Sequence, residues 1–277
     1  MSTDLRQLGD QIRRTVLEQS RRANVGHIGS CLSIADILAA LYGGVLDPVS
    51  PDDPDRDRFV LSKGHAVLSL YAALNAVGLL SREDLETYCV DGSWVGGHPE
   101  HALPGVEFST GSLGHGLSMA AGTAIAGARA GSTWRVFALL SDAECNEGST
   151  WEAAMFAAQH QLSRLVGIVD ANGQQALGYT RDILDLEPLE ERWRSFGWDV
   201  HEVDGHDPPL IAATIDGLDF EQGPPHMLIA RTTFGKGVDF MQSKIEWHYR
   251  PLSEEQFEDA MAQVGAPAPV EADGGAR

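Results

Sequence analysis

The chain has 277 residues, which is enough for one large domain or two small ones with a buried core. Apolar residues make up 43% of it and charged residues 22%, as is typical of a globular protein in water. Acidic residues outnumber basic ones by 40 to 20, so the net charge is −20. A surface of that sign repels phosphate backbones and argues against a nucleic-acid partner.

The N-terminus and the cysteines indicate a cytoplasmic protein. The first twenty residues are amphipathic and contain acids, unlike a signal or transit peptide. We find no apolar run of membrane-spanning length, so we expect no membrane contact. The three cysteines, Cys31, Cys89 and Cys145, are widely spaced and odd in number, which argues against a disulfide framework and for a reducing compartment.

Hydrophobic periodicity predicts helices that alternate with short apolar strands. In chain order we predict a helix at 4–22, a helix at 33–46 with Ser33 as its N-cap, a loop at 47–58, a strand at 58–62 and a helix at 64–78. An irregular segment at 91–114 precedes a helix at 115–130, a strand at 134–140, a helix at 149–161, a strand at 165–172, a helix at 185–196, a strand at 198–204, a helix at 208–217 and a strand at 226–232.

Almost wholly apolar strands that alternate with helices indicate an α/β fold. We expect an open, mostly parallel sheet with helices on both faces. Residues 1–264 would form one domain, and the Pro/Gly-rich segment 265–277 would be a disordered tail. Ligands of such sheets bind beyond the carboxyl ends of the strands.

Two predicted strands end in oxygen-bearing side chains. Asp142 follows one strand, and Asn172 ends the next one, about one strand–helix–strand unit later. A carboxylate, an amide oxygen and a carbonyl of the following turn make half of an octahedral Mg²⁺ site, which phosphate oxygens and water could complete. The same residues would also suit a helix cap and a turn, because Asp and Asn are common there.

Four histidines, His27, His65, His98 and His115, each follow a glycine. Glycine lets the backbone approach a ligand closely, and an imidazole can transfer protons near neutral pH. Any one Gly-His pair fits an ordinary turn, but four of them before the metal segment favour an active site. A zinc site is disfavoured, because the cysteines and histidines lack the usual ligand spacing.

Together, a series of motifs resembles transketolase: GHIGS, SKGHA, GGHPE, STGSLGHGLS, SDAECNEGSTWEA, VDANG and KGVDF…EWH. More narrowly, the chain resembles the N-terminal subunit of bacterial transketolases that are divided into two chains, over about residues 5–260. The resemblance implies a domain that binds the diphosphate of thiamine diphosphate (the PP-domain type) through Mg²⁺, Ca²⁺ or Mn²⁺.

The resemblance also implies the cofactor contacts. The cation ligands would be Asp142, Asn172 and the carbonyl oxygen of Gln174. The residues around the cofactor would be Gly111 and Leu113 beside its aminopyrimidine ring, and Ala143 and Glu144 beside its diphosphate.

The implied catalytic histidines are His27, His65, His98 and His248, of which His65 and His248 would also contact the cofactor. Glu147 matches a buried acid in a proton-sharing network that reaches a second active site. An acid favoured by the dipole at a helix N-terminus explains Glu147 equally well. His115 stands where the family often has glutamine, and His206 has no assigned chemistry.

Two departures from the family pattern concern the pocket. Ser141-Asp142-Ala143 replaces Gly-Asp-Gly, and Ala143 would be strained if its backbone needed a positive φ. GHIGS replaces GHPG but keeps His27. We expect thiamine diphosphate to bind with a modestly altered affinity.

The implied activity is transfer of a two-carbon ketol unit from a ketose phosphate to an aldose phosphate. We see no second α/β domain after residue 260, so a C-terminal subunit would carry the pyrimidine-binding domain in a two-plus-two heterotetramer, and this chain would be inactive alone. Two alternatives remain open. One is a related carboligase acting on a non-phosphorylated, sulfonated or biosynthetic substrate, and the other is a non-catalytic regulatory paralogue.

Overall fold

The computed structural model describes residues 4–46 and 52–265. Its central sheet consists of β1 (Arg58–Leu61), β2 (Val136–Ser141), β3 (Leu165–Ala171), β6 (Asp199–Asp204) and β7 (His226–Arg231). All four pairings are parallel, and the spatial order is β1-β2-β3-β7-β6. A small antiparallel hairpin of β4 (Gln174–Gln175) and β5 (Gly178–Tyr179) follows β3.

Helices cover both faces of this sheet. On one face lie α1 (Leu5–Ala23), α2 (Ile28–Ser33), α3 (Ala35–Ala40), α4 (Val67–Ala76), α5 (Arg82–Leu85), α10 (Pro208–Asp216) and α11 (Glu254–Gln263). On the other lie α6 (Gly116–Ala130), α7 (Gly148–Gln159) and α9 (Leu189–Ser195), while α8 (Thr180–Ile183) follows the hairpin. The predicted α/β fold is confirmed.

The strands are apolar throughout because each contributes to two cores. In β2, Phe137 and Leu139 pack in the first core, whereas Ala138 and Leu140 pack in the second. Successive side chains of a strand point to opposite faces, so a sheet covered on both sides needs apolar residues at every position.

The second helix differs from the prediction. Ser33 does not cap a helix; it is wholly buried at the end of α2, which begins at Ile28. Its hydroxyl oxygen lies 2.9 Å from the carbonyl oxygen of Ser30 and 2.8 Å from Oδ2 of Asp170, so its one hydrogen has two buried acceptors within reach. A serine with that many buried acceptors is held by tertiary contacts, which local sequence does not reveal.

The predicted helix 185–196 is shorter in the structure, where α9 begins at Leu189. Pro188 precedes it, and the residue before a proline is disfavoured in helical conformation. The helix α11 was not predicted, although its capping box at Ser253 and Gln256 is a recognisable start signal.

Parts of two predictions lie outside the described residues. These are the first residues of the loop 47–58 and the tail from residue 266 onward. Within the described ranges, no helix is both long and apolar enough to cross a bilayer.

Candidate functional site

The predicted cation ligands meet on neighbouring strand ends. Asp142 directly follows β2, and Asn172 directly follows its neighbour β3. The backbone N–H of Gly173 donates to Oδ2 of Asp142 (2.8 Å), so the turn after β3 contacts the turn after β2. Oδ1 of Asn172 accepts from the N–H of Gln174 (2.9 Å), which places Gln174 in the same turn.

The charge at Asp142 fits a bound divalent cation. Asp142 is only 6% exposed, and burial, with the nearby carboxylate of Asp170, raises its pKa to about 7. Among the described residues, no lysine or arginine forms an ion pair with Asp142, since Lys63 pairs with Asp170 instead. A buried carboxylate without its own counter-charge is costly, and a cation there would remove that cost.

Asp170 organises the floor of the site, a role that sequence reasoning missed. Its Oδ2 accepts from Nζ of Lys63 (2.5 Å) and from Nδ2 of Asn172 (2.7 Å), and its Oδ1 accepts from the hydroxyl of Thr232. Because Asp170 holds the amide nitrogen of Asn172, the amide oxygen is oriented away from Asp170, and the lone pair that Gln174 does not use could face a cation. The sequence did contain a signal for this pair, since Lys63 and Asp170 stand at the ends of two apolar strands.

Three of the predicted histidines form a compact cluster. The ring centroids of His27, His65 and His248 lie 5.5 Å apart in each of the three pairs. The Nε2 atom of His65 is 2.8 Å from the hydroxyl of Ser30, and His248 stacks on Phe234. Nδ1 of His248 is buried and has no hydrogen-bond partner among the described residues. A bound ligand could supply the missing hydrogen-bonding group.

The environment keeps these histidines neutral. Burial lowers the pKa of all three, that of His248 to about 4 and that of His65 well below its ordinary value. The positive charge of Lys63 lowers the pKa of His65 further. Neutral imidazoles can accept hydrogen bonds and protons from the hydroxyl groups of a substrate.

The loop before α6 carries the remaining predicted contacts. His98 is exposed. Burial is the main cause of the lowered pKa of His27, and the nearby His98 lowers that pKa further. A Cβ at Gly111 would lie 2.8 Å from Cδ2 of His98, so only glycine fits there without a shift. His98, Gly111 and His115 line a cavity of about 400 Å³, and Leu113 is half-buried in the same loop.

The side chain of Glu144 is wholly buried and points into the protein. Only the backbone of Glu144 could therefore line the predicted diphosphate turn, and that contact stays a prediction. Its carboxylate accepts from the hydroxyl of Ser62 (2.5 Å), the N–H of Gly114 (2.9 Å) and the N–H of Ser141 (3.0 Å). The 3₁₀ turn after Asp142 directs this side chain inward, where it fastens the glycine-rich loop to β2.

Glu147 and Ala143, which lie near Glu144, bear on two further expectations. Glu147 is exposed at the N-cap of α7, where its side chain makes no capping hydrogen bond. Its burial in a shared network therefore stays a prediction about an assembly. The strain considered for Ala143 is absent, because Ala143 is not among the described non-glycine residues with positive φ. His27 is one of them, at φ 62°.

His206 positions the segment behind the histidine cluster. Its Nε2 atom accepts from the backbone N–H of Thr233 (2.8 Å), so Nδ1 carries the hydrogen and donates to Oδ2 of Asp36 (2.8 Å). Thr233 lies between Thr232, which bonds to Asp170, and Phe234, which backs His248. His206 thus holds the backbone of the segment that carries Thr232 and Phe234.

A second cavity of about 400 Å³ opens beside the predicted cation ligands. Asp142, Asn172, Thr180, Arg231 and Ser243 are among the residues that line it. The Nε2 atom of Gln174 donates to the carbonyl oxygen of Ser243 (3.0 Å), which connects β4 to another residue that lines the cavity. The cavity is therefore continuous with the turn that carries Asn172.

This α/β fold, with oxygen-bearing side chains at two neighbouring strand ends and a histidine cluster, belongs to the thiamine diphosphate-binding class. The chain matches the family "Transketolase, thiamine diphosphate binding domain" over residues 5–271, and it belongs to that family. An apulose-4-phosphate transketolase subunit of Phocaeicola vulgatus is 41% identical over 254 residues, which are 91% of this chain and 90% of that protein. The 6-deoxy-6-sulfo-D-fructose transketolase subunit SqwG of Clostridium sp. is 40% identical over 264 residues, or 94% and 96% of the two chains.

Solved structures of transketolases have the same fold. Transketolase from Leishmania mexicana superposes with a TM-score of 0.87 at 30% identity, covering 95% of this chain and 42% of that one. Transketolase from Campylobacter jejuni gives 0.86 at 32% identity, with 95% and 43% covered. The chain thus spans about two fifths of the length of these solved transketolases, and the resemblance drawn from its motifs is confirmed.

Proposed function

We propose that this chain is the cofactor-binding subunit of a two-chain transketolase. Asp142, Asn172 and the carbonyl oxygen of Gln174 would hold a divalent cation, with Mg²⁺ preferred, that bridges to the diphosphate of thiamine diphosphate. The observation that carries the proposal is that the turn after β3 lies at the same edge of the sheet as the cluster of neutral histidines His27, His65 and His248.

A continuous hydrogen-bond path joins the two parts of the site. The hydroxyl of Ser30 contacts His65, and the carbonyl oxygen of Ser30 accepts from Nζ of Lys63 (3.4 Å). Lys63 also donates to Asp170, which accepts from Asn172. The path supports a common function, because one buried lysine connects Ser30, which contacts His65, to Asp170, which holds Asn172.

Thiamine diphosphate, when bound, supplies the electron sink that allows a ketose carbon–carbon bond to break and a two-carbon unit to move to an aldehyde. The chain's own part is binding, orientation and proton transfer. The ring nitrogens of His27, His65 and His248 would accept hydrogen bonds from sugar hydroxyls and move a proton between hydroxyl and carbonyl oxygens. His98, at the exposed rim, would contact the substrate as it enters.

A second subunit with the pyrimidine-binding domain would complete the site, in a two-plus-two heterotetramer. The names of two relatives of similar length support this, because each of them is named as one subunit of its transketolase. The exposed position of Glu147, which the family resemblance places in a buried network, also suits a surface that a partner covers. The donor and acceptor would be sugars, phosphorylated ones in the first instance.

Calorimetric titration with thiamine diphosphate in Mg²⁺ tests the proposal on the chain alone and with its second subunit. We expect weak binding alone, tight binding in the complex, and ketol transfer only in the complex. Tight stoichiometric binding by the isolated chain would rule out a shared site, and no binding by either would refute the function. Assays with a phosphorylated and a sulfonated ketose of equal carbon number then define the substrate.

A further inference from the structure

A second group of potential metal ligands lies at the amino edge of the sheet, opposite the carboxyl ends that carry the candidate active site. Asp199 begins β6 and His226 begins β7, and the two are direct partners in the parallel register. His201 is two residues beyond Asp199, so both side chains lie on the same face of β6. Strand register therefore places the three side chains together.

The ligand atoms of these residues converge. Nδ1 of His226 and Nε2 of His201 each lie 2.9 Å from the same Oδ2 atom of Asp199. One ligand atom from each residue falls within 4.8 Å of the others. The second ring nitrogen of His226, Nε2, lies 3.0 Å from the carbonyl oxygen of Asp219.

The hydrogen bonding of His226 leaves room for a cation. A carbonyl oxygen only accepts, so Nε2 of His226 carries a hydrogen and donates it to Asp219. In a neutral ring, Nδ1 then points its lone pair at the carboxylate of Asp199 across 2.9 Å. Two facing lone pairs repel each other unless they share a proton or both bind a metal ion that lies to one side of the line between them. Nε2 of His201 faces the same oxygen, to which it can donate a hydrogen as a neutral ring, or it can bind the metal ion through its lone pair.

We propose that Asp199, His201 and His226 bind a divalent transition-metal ion such as Zn²⁺, at a site separate from the cation site at Asp142. Two imidazoles and one carboxylate are common ligands for such ions. The bond from His226 to Asp219 is the arrangement that metal-binding histidines usually show, because it orients the ring and fixes its tautomer.

The exposure of the three side chains suits a site that is anchored inside and open to water. The side chain of His226 is 3% exposed, whereas those of Asp199 and His201 are 44% and 37% exposed. Solvent can therefore supply the remaining ligands. Since β6 is the edge strand of the sheet, the ion would fasten that edge to β7.

Calorimetric titration of the full chain with Zn²⁺, in excess Mg²⁺, tests this proposal. We expect one tightly bound Zn²⁺ in the wild type, and an affinity at least about tenfold lower in His201→Ala and in Asp199→Asn. His226 is left unchanged because it is buried. Zn²⁺ should also raise the melting temperature of the wild type but not that of His201→Ala, because an ion that binds only the folded state stabilises it.

Two control variants make the result specific. His101 pairs with Glu100 at 2.7 Å on an exposed loop, so His101→Ala removes a histidine–carboxylate pair outside the proposed site and should leave Zn²⁺ binding unchanged. His27→Ala, in the active-site cluster, should also leave it unchanged. The proposal is overturned if the wild type binds no Zn²⁺, if both site variants bind it like the wild type, or if only His27→Ala loses it.

Discussion

At the scale of single residues, the carboxylate of Asp142 is the most consequential group in the candidate site. Asp142→Ala removes the one acidic ligand of the proposed cation, so Mg²⁺-dependent binding of thiamine diphosphate in the assembled enzyme should be lost. Asn172→Ala should weaken binding less, because a neutral ligand contributes less charge. Calorimetry measures both variants.

Asp185→Asn is the matched control, since Asp185 lines the same cavity without belonging to the proposed ligand set. It should bind the cofactor like the wild type. Wild-type affinity in Asp142→Ala at low Mg²⁺ would mean that the cation is held elsewhere.

The buried histidines make stability depend on pH. In the unfolded chain His248 takes up a proton near its ordinary pKa of 6.5, whereas in the folded protein its pKa is about 4. Between these values the unfolded state binds more protons, so the free energy of unfolding falls as pH falls. His248→Gln should therefore lose less melting temperature than the wild type between about pH 7 and about pH 5.

The control for that comparison is His160→Gln, because His160 is exposed at the end of α7. Its pH profile should parallel that of the wild type. Parallel profiles for His248→Gln and the wild type would show that His248 is not kept neutral by folding.

The sequence predicted which residues meet in the candidate site better than it predicted their surroundings. His27, His65, His98 and Asn172 could be found because glycine-histidine pairs and strand ends are visible in a linear chain. The inward turn of Glu144 and the pairing of Lys63 with Asp170 could not, since both depend on how distant segments pack.

At the scale of secondary-structure elements, the close approach of α2 to the loop after β7 sets the position of the histidine cluster. A Cβ on Gly29 would lie 2.1 Å from Cε1 of Phe234, the wholly buried ring that stacks on His248. Gly29→Ala should therefore cost about 1–3 kcal/mol of stability through overpacking. It should also lower ketol transfer, because Phe234 must move.

Gly122→Ala is the control for Gly29→Ala, because it makes the same substitution at a glycine whose surroundings are open. Gly122 lies inside the helix α6 with nothing within 4 Å of its virtual Cβ, so alanine should stabilise the isolated chain by up to about 1 kcal/mol. Chemical unfolding of the isolated chains measures both effects. Equal stabilities of Gly29→Ala and the wild type would show that α2 can yield at this contact.

Element boundaries were predictable where the local sequence decides them. The helix 4–22 matches α1 closely, because Asp4 caps its start and Asn24 ends it in the left-handed conformation. The region of Ser33 was misjudged, since a short helix that ends in buried tertiary contacts leaves no periodic pattern.

At the scale of the whole molecule, the two edges of the sheet have different chemistry. The carboxyl edge gathers Asp142, Asn172 and the histidine cluster, and the amino edge gathers Asp199 and His226. The order of the strands could predict the meeting of Asp142 and Asn172 from the general behaviour of parallel sheets, whereas the histidine cluster was expected from the family resemblance. It could not predict the second, because that one depends on β6 and β7 being neighbours in exact register.

The exposed side of α7 offers a test of assembly. Met155 and Phe156 are 54% and 41% exposed on this helix, which begins just after the exposed Glu147. If Glu147 becomes buried between active sites, then α7 lies at a subunit interface, and its exposed apolar side chains would be covered there. Met155→Asp should then prevent assembly with the second subunit while leaving the fold of this chain intact, because the side chain is exposed in the isolated chain.

Leu210→Asp provides the comparison. Leu210 is 44% exposed on α10, which packs against the opposite face of the sheet from α7. Its replacement introduces the same charge on an exposed apolar side chain outside the interface expected at α7. Sedimentation of each variant mixed with the second subunit should show free chains for Met155→Asp and the complete complex for Leu210→Asp. A charge at a packed interface loses its water without gaining a partner, so it should prevent assembly. Full assembly of Met155→Asp would therefore place this side of α7 outside the interface and argue against the burial of Glu147 there.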